Sequence, residues 1–234
     1  MSPAFRPHWT SLPAAQKRLW PQLGPVRALG YVLYGGTAIA LRLGHRISVD
    51  FDFFTEQPLD HRQLRRDLPF LAETIALQQS VDTLTVATAN AAHTSGVKLS
   101  FFGGIDFGRV GIPDHTRDGV LLVASLDDLM ATKLKVILQR VEARDYRDIA
   151  VMIRSGVSLS GGLAAARLLF ANAFQPSECL KALTWFQGGD LDTLTTNEQS
   201  ILIDAASRVR DLPEVILAST RLGSLAQGPP DKWA

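Results

Sequence analysis

The apolar positions follow two regimes that meet near Ser125. Before it, short apolar or alternating runs are broken by Gly and Pro, the pattern of strands joined by turns. Tyr31–Tyr34, Ser48–Phe54, Thr74–Gln79, Leu84–Thr88, Val97–Phe102 and Val120–Val123 read as strands of one mostly antiparallel or mixed sheet. Helices are predicted over Ala14–Trp20, Thr37–Leu43 and His61–Leu68, with Gly44 as a C-terminal stop. After Ser125 the spacing turns helical: Leu126–Arg140, Asp145–Arg154, Leu159–Ala173, Ser177–Phe186 and Asn197–Leu212. Ser125 followed by Asp128 fits a capping box. Gly161-Gly162 reads as a flexible turn. The fold class is α+β: an α/β domain over 1–124 with an N-terminal arm, then an all-helical domain over 125–234. Pro3, Pro7, Pro13, Pro21 and Pro25 mark the arm, packed by Trp9 and Trp20, and the closing GPPDKWA is expected to be loose.

Composition narrows the class without naming a function. The 234 residues carry 24 basic and 23 acidic side chains, a net charge of +1, so a generally basic nucleic-acid coat is excluded while a local patch is not. With 46% apolar and 20% charged residues, the chain has the makings of a real core. A single cysteine, Cys179, excludes an internal disulfide and Cys-rich zinc patterns. No apolar run approaches the ~20 residues that span a bilayer, and the start lacks a signal-peptide core. A soluble, cytoplasmic protein without a membrane partner is expected. The histidines are scattered, so a catalytic zinc site has no support; His45, just before an acidic strand, fits a structural or phosphate-facing role better.

The most informative stretch is residues 34–54, YGGTAIALRLGHRISVDFDFF. Gly35-Gly36 stands where a strand ends and a helix begins, and free amides at a helix start attract anions. The Thr37 hydroxyl can cap that helix or touch the same anion. Strand alternation places Asp50 and Asp52 on one side, with Val49, Phe51 and Phe53 on the other. Their Cα atoms would be about 6.6 Å apart, close enough to share a divalent ion. The plainer alternative is a surface ion cluster in which Arg42, Arg46 or Lys98 neutralises the pair.

Farther on, Lys133, Ile137 and Arg140 fall on nearly one helix face. Lys133 lies in an apolar stretch, so its stem is expected to pack while its ammonium meets a nucleotide phosphate or Asp148. Arg144 and Asp148 are four residues apart and Asp145 and Asp148 three, which by itself describes a surface salt-bridge ladder of little energetic weight. Arg62, Arg65 and Arg66 form a basic cluster that is usually a solvated face, with an RNA backbone as the alternative contact.

Taken together, Gly35-Gly36-Thr37-Ala38, Leu41-Arg42, His45-Arg46, Ser48 and Asp50-x-Asp52-x-Phe54 resemble the signature of the AbiEii/AbiGii toxin family. These are nucleotidyltransferases of the DNA-polymerase-β-like superfamily. Ser125-Leu126-Asp127-Asp128-Leu129, Lys133-Leu134, Arg140 and Arg144-Asp145-Tyr146-Arg147-Asp148 resemble the family's later motifs. The resemblance covers about residues 30–155; nothing in 156–234 matches a motif. It implies a nucleotidyltransferase-type mixed sheet with flanking helices and transfer of a nucleoside monophosphate from an NTP to an acceptor hydroxyl. RNA, notably the tRNA end, would be the acceptor, and the protein a toxin with a separately encoded antitoxin partner. It further implies Mg²⁺ (or Mn²⁺) on Asp50 and Asp52, with Lys133 and Asp148 completing the catalytic set. Gly35, Gly36, Thr37, Arg46 and Ser48 would bind the nucleotide.

One departure stands out. Related enzymes commonly supply a third carboxylate from a nearby strand, and here Val97–Phe102 offers Ser100, with Lys98 on the same face. A two-metal mechanism usually wants more than two carboxylates. Either one metal suffices, or Asp145 or Asp148 assists, or the chain is a catalytically reduced nucleotide- or partner-binding member of the fold. Asp106 is a less natural substitute. A phosphatase-type aspartate nucleophile in Asp50-x-Asp52-x-x-Thr55 would leave the Gly-Gly turn and the Lys133/Asp148 cluster unexplained.

Overall fold

In the computed structural model, which describes residues 4–88 and 96–223, alternation along one short strand organises the site. This is β3 (Asp50–Phe54), whose Phe51 and Phe53 are fully buried while Asp50 and Asp52 stay partly exposed on the opposite face. It lies near the middle of a mixed sheet with β1 (Ala4–Phe5), β2 (Val32–Tyr34), β4 (Thr74–Ser80), β5 (Thr83–Thr88), β6 (Lys98–Phe102), β7 (Asp114–Thr116) and β8 (Leu122–Val123), in the order β1-β7-β8-β2-β3-β6-β5-β4. β3 runs antiparallel to β2 and parallel to β6. Phe51 and Phe53 stack at 5.8 Å, and Phe53 and Phe101 at 5.3 Å, which anchors the ribbon from below.

The helices are α1 (Ala14–Leu19), α2 (Gly24–Ala28), α3 (Gly35–Leu43), α4 (His61–Asp67), α5 (Leu126–Val136), α6 (Ala143–Arg154), α7 (Leu159–Phe170), α8 (Pro176–Thr184) and α9 (Thr196–Arg208). α3 begins directly at the end of β2 and stops at Gly44, whose φ of 66° ends the helix in the left-handed region. It packs against both α5 and α6, so the carboxylate strand and the helical half meet around it. Buried residues from Leu12 to Leu222 form one contiguous apolar cluster. The fold is α+β. Among the described residues no helix is long and apolar enough to cross a membrane.

The arm packs as expected, with Trp9 and Trp20 edge to face at 4.9 Å. Its backbone continues into the site region: His8 N–H donates to Leu41 and Ser48 N–H to Ser11. Several boundaries differ from the sequence reading. β1 and β7 are two and three residues long, too short for a periodic signal. They are tied in by Arg42, which donates to Asp114 at 2.6 Å and to the Val123 and Ala124 carbonyls, beneath the Phe5 ring. β3 starts at Asp50, where pairing with β6 begins, so Val49 is 52% exposed and not part of the apolar face. α5 ends at Val136 and α9 at Arg208. Gly161-Gly162 is helical; a Cβ on Gly162 would fall 2.3 Å from Met130 Cγ, so the glycine lets α7 cross α5 closely. The capping box is half formed. The Ser125 hydroxyl accepts from Asp128 N–H and donates to the Asp128 carboxylate at 2.6 Å, and that carboxylate also accepts from the Val110 and Gly111 amides.

Beyond α9 the chain returns to the sheet half. Arg109 and Ser219 form a β-bridge, Arg109 Nε donates to the Arg221 carbonyl at 3.0 Å, and Leu222 is buried with its N–H on Glu56. The GPPDKWA tail lies outside the described residues.

Candidate active site

The β2–α3 turn and β3 form one floor. Gly35 (φ 72°) sits so close to β3 that a Cβ there would lie 2.4 Å from Asp52 Oδ2. A Cβ on Gly36 would lie 2.3 Å from the terminal nitrogen of Arg46. The two glycines therefore make room for a carboxylate and a guanidinium of this same chain, besides exposing backbone. α3 has no side-chain cap, which leaves its first amides without that partner. Thr37 does not supply one. Its buried hydroxyl donates to the Asp50 carbonyl and shares a 2.8 Å hydrogen bond with the buried Ser48 hydroxyl, tying α3 to the entry of β3. Thr37 and Ser48 thus brace the acidic strand, and Thr37 is turned away from any anion at the helix start.

Asp50 and Asp52 line one cavity of about 300 Å³ with Gly36, Arg46, Ser48, Lys98, Lys133, Arg140 and Arg144. Arg42 is committed to Asp114 and Arg46 to Asp148. Lys98 is the cation near the pair, its Nζ 3.9 Å from Asp50 Oδ2, and it is half exposed. The acids are neither sealed nor turned aside. Register explains the departure noted in the sequence: Asp50 stands opposite Lys98 and Asp52 opposite Ser100 on parallel β6. Ser100 is buried and hydrogen-bonds Asp52. Burial first, and the Asp50 charge second, hold the Asp52 carboxyl above the usual carboxylate range; Lys98, Lys133 and the Ser100 hydroxyl pull the other way.

Behind this floor lies a buried charge network. Asp145 and Asp148 are fully buried on α6. Lys133 Nζ reaches Asp145 at 2.5 Å and Asp148 at 2.8 Å, and Arg140 Nε reaches Asp145 at 2.8 Å. Asp148 further accepts from Arg46 Nε at 2.7 Å, from a second Arg46 nitrogen at 2.9 Å and from His45 Nε2 at 2.8 Å. Burial alone would raise the Asp148 pKa, but Lys133, His45 and Arg46 hold it well below the ordinary carboxylate range. The surface-ladder alternative is wrong for these acids; Arg144 pairs with Glu142 instead. Asp148 is also poorly placed to take a proton from an acceptor, since its oxygens are occupied by three cationic or imidazole groups. It positions Arg46 and Lys133, both of which line the cavity. His45 is part of this network through its Nε2 contact with Asp148.

The sequence reading overlooked Arg144 as a cavity residue and gave Lys98 and Arg140 no place among the site residues. Alternation put Lys98 on the Ser100 face and helical spacing put Arg140 beside Lys133, so both signals existed. Arg62, Arg65 and Arg66 on α4 do not line the cavity. Cys179 is a buried core thiol, its pKa pushed up to about 12 by burial.

The residues fit a divalent cation in one respect. Two carboxylates on adjacent same-face positions, one of them disfavoured as an anion by burial and by its neighbour, are stabilised by a shared ion. Among the described residues no group of three or more His, Cys, Asp or Glu side chains converges. The protein would offer two ligands, and Mg²⁺ commonly keeps water and substrate oxygens for the rest.

Residues 27–215 match the profile of the family described as nucleotidyl transferase AbiEii toxin, type IV toxin–antitoxin system. The chain belongs to that family. An uncharacterised protein of Aquifex aeolicus strain VF5 is 34% identical over 126 residues, which span 53% of this chain and 58% of the relative's length. Among solved structures, a nucleotidyltransferase candidate from H. pylori superposes with a TM-score of 0.54 at 17% identity, covering 82% of this chain and 91% of the other. MenT4, a nucleotidyltransferase toxin of Mycobacterium tuberculosis H37Rv, gives 0.51 at 12% identity, covering 80% and 85%. At these identities the two structures speak for the nucleotidyltransferase fold of this AbiEii chain.

Proposed function

We propose that this AbiEii protein transfers a nucleoside monophosphate from an NTP to a hydroxyl of RNA, with tRNA as the first acceptor to test, and is the toxin of a pair whose antitoxin is a separate protein. The observation that carries this reading is the convergence of Asp50, Asp52, Gly36, Arg46 and Lys133 on one open cavity. Asp50 and Asp52 would hold Mg²⁺ or Mn²⁺. Such an ion neutralises triphosphate charge and polarises the reacting phosphorus.

The chain's own groups do the remaining work. The uncapped start of α3 at Gly35 and Gly36 meets the β- and γ-phosphates, with Arg46 beside it. Lys133, Arg140 and Arg144 supply positive charge along the cavity wall. The acceptor oxygen bonds to the α-phosphorus, the bond to the bridging oxygen breaks, and pyrophosphate leaves with the electron pair. The hydroxyl proton leaves to water through the open side. Asp148 acts by holding Lys133 and Arg46 in place.

Labelled NTP, Mg²⁺ and bulk tRNA should give labelled RNA with the purified protein, and Asp50→Ala should abolish it. No transfer to any RNA by verified folded protein would overturn the reading.

Ser100 opposite Asp52 favours a second reading, a nucleotide binder with reduced chemistry. It expects NTP to raise the melting temperature without turnover, and Ser100→Asp to gain transfer. An unchanged Ser100→Asp protein would count against it.

A further inference from the structure

Arg46 also lines a second cavity, of about 120 Å³, on the far side of the Asp148 network. Its other charged walls are Arg147 and Arg154 from α6 and Glu198 from the first turn of α9, and its apolar floor is Ala150, Val151 and Ile201. Glu198 pairs with Arg147 at 3.5 Å. Among the described residues Arg154 has no acidic partner. His45 lines the same cavity; its side chain is 8% exposed, and its Nδ1 has no hydrogen-bond partner while Nε2 faces Asp148.

The two cavities are joined along one helix. Arg144, at the wall of the first, and Arg147 and Arg154, at the second, fall within about 80° of one another around α6 and span about 15 Å along it. Each is at least partly exposed. The result is a cationic stripe that starts at the candidate active site and ends in a small pocket walled by Arg147 and Arg154.

We propose that this face of α6 is the track for the phosphate backbone of the RNA acceptor, with one phosphate held in the pocket between α6 and α9. The inference rests on the reading of RNA as the acceptor. A strand carries a negative charge every few ångströms, so about 15 Å of helix meets several in succession. The pocket is small and lined by cationic side chains, which suits a phosphate group. Its walls offer donors from two elements, the arginines of α6 and Asn197 of α9. The arginines of α4, Arg62, Arg65 and Arg66, are less suited because none of them lines either cavity.

The test is binding, read without turnover. Fluorescence anisotropy with labelled tRNA, across a salt series, compares the natural chain with Arg154→Ser and with Arg147→Ser/Arg154→Ser. The double variant should bind RNA about tenfold more weakly, with a salt slope lower by about one to two. NTP affinity should not change. Because Arg147 also bonds Thr193, melting curves verify folding, and the exposed Arg154→Ser variant alone still tests the proposal. Unchanged RNA affinity and slope in both variants would overturn it. So would variants that lose only stabilisation by inorganic phosphate, or only binding of the antitoxin, while RNA binding stays normal. If the natural chain labels RNA but the variants bind it normally, only the track falls. If the natural chain neither binds nor labels RNA, the acceptor reading falls with it.

Discussion

Gly35 and Asp52 touch: the space a side chain would need at position 35 is filled by the carboxylate of Asp52, 2.4 Å from an ideal Cβ. With φ at 72°, Gly35→Ala meets a backbone penalty of about 1–2 kcal/mol and also drives Asp52 off its position. The variant should melt lower and lose most transfer activity. Gly36→Ala carries no positive-φ penalty and meets the Arg46 guanidinium, whose bond to Asp148 it would disturb, so it should cost less stability than Gly35→Ala while still blocking the helix start. Differential scanning fluorimetry and the RNA-labelling assay separate the two; equal stability losses would contradict the contact.

Asp52→Asn should raise thermal stability while abolishing nucleotide transfer. Burial and Asp50 lift the folded-state pKa of Asp52 above its unfolded value of about 3.9. Such a group favours the fold most when protonated, and that contribution is lost as pH rises through the folded pKa. At neutral pH the ionised carboxylate works against the fold, and the amide removes the charge. A melting temperature for Asp52→Asn at or below that of the natural chain at pH 7 would refute this account.

Asp148 has the opposite sign. Its folded pKa is depressed, so its stabilisation is present above about pH 4 and drains away as acid carries it through the folded value. Asp145, whose pKa is also lowered by Arg140 and Lys133, adds to the same acid limb. Asp148→Asn leaves Lys133 and Arg46 short of a buried partner and should cost about 3–5 kcal/mol. Urea melts at pH 7 and pH 3 should show a large gap between variant and natural chain at the first pH and a moderately reduced one at the second, since the folded value lies lower still.

Lys98 competes for Asp50. Removing its ammonium, 3.9 Å from the carboxylate, should tighten Mn²⁺ binding to the nucleotide-free chain by a few-fold in Lys98→Met. The same change should weaken NTP, which loses a cation from the wall of its cavity. Mn²⁺ titration by electron paramagnetic resonance reads the first effect and nucleotide binding the second. Weaker Mn²⁺ binding in the variant would show that Lys98 does not oppose the ion.

What could be read from the chain was local. Asp50 and Asp52 on one face, Phe51 and Phe53 on the other and the Gly-Gly junction all follow from strand alternation and the turn chemistry of a few neighbouring residues. Asp145 and Asp148 were harder, because three- and four-residue spacing beside Arg144 looks the same on a solvated helix as on a buried one. Their burial depends on His45, 103 residues before Asp148, and no local pattern encodes that separation. Thr37 misled for a similar reason: a hydroxyl near a helix start is a cap until Ser48 and the Asp50 carbonyl come within reach. β1 and β7 carry too few residues to show any period, and residues 209–222 return to Arg109 and Glu56 through extended backbone with no repeating pattern.

That return fixes the order in which the molecule can be finished. A polypeptide released after α9 would lack the Arg221 carbonyl that faces the buried Arg109 guanidinium, and the Leu222 plug beside Glu56. The sheet-bearing half is closed by residues that follow α9, so a nascent or prematurely terminated chain is denied its complete scaffold until synthesis has passed them.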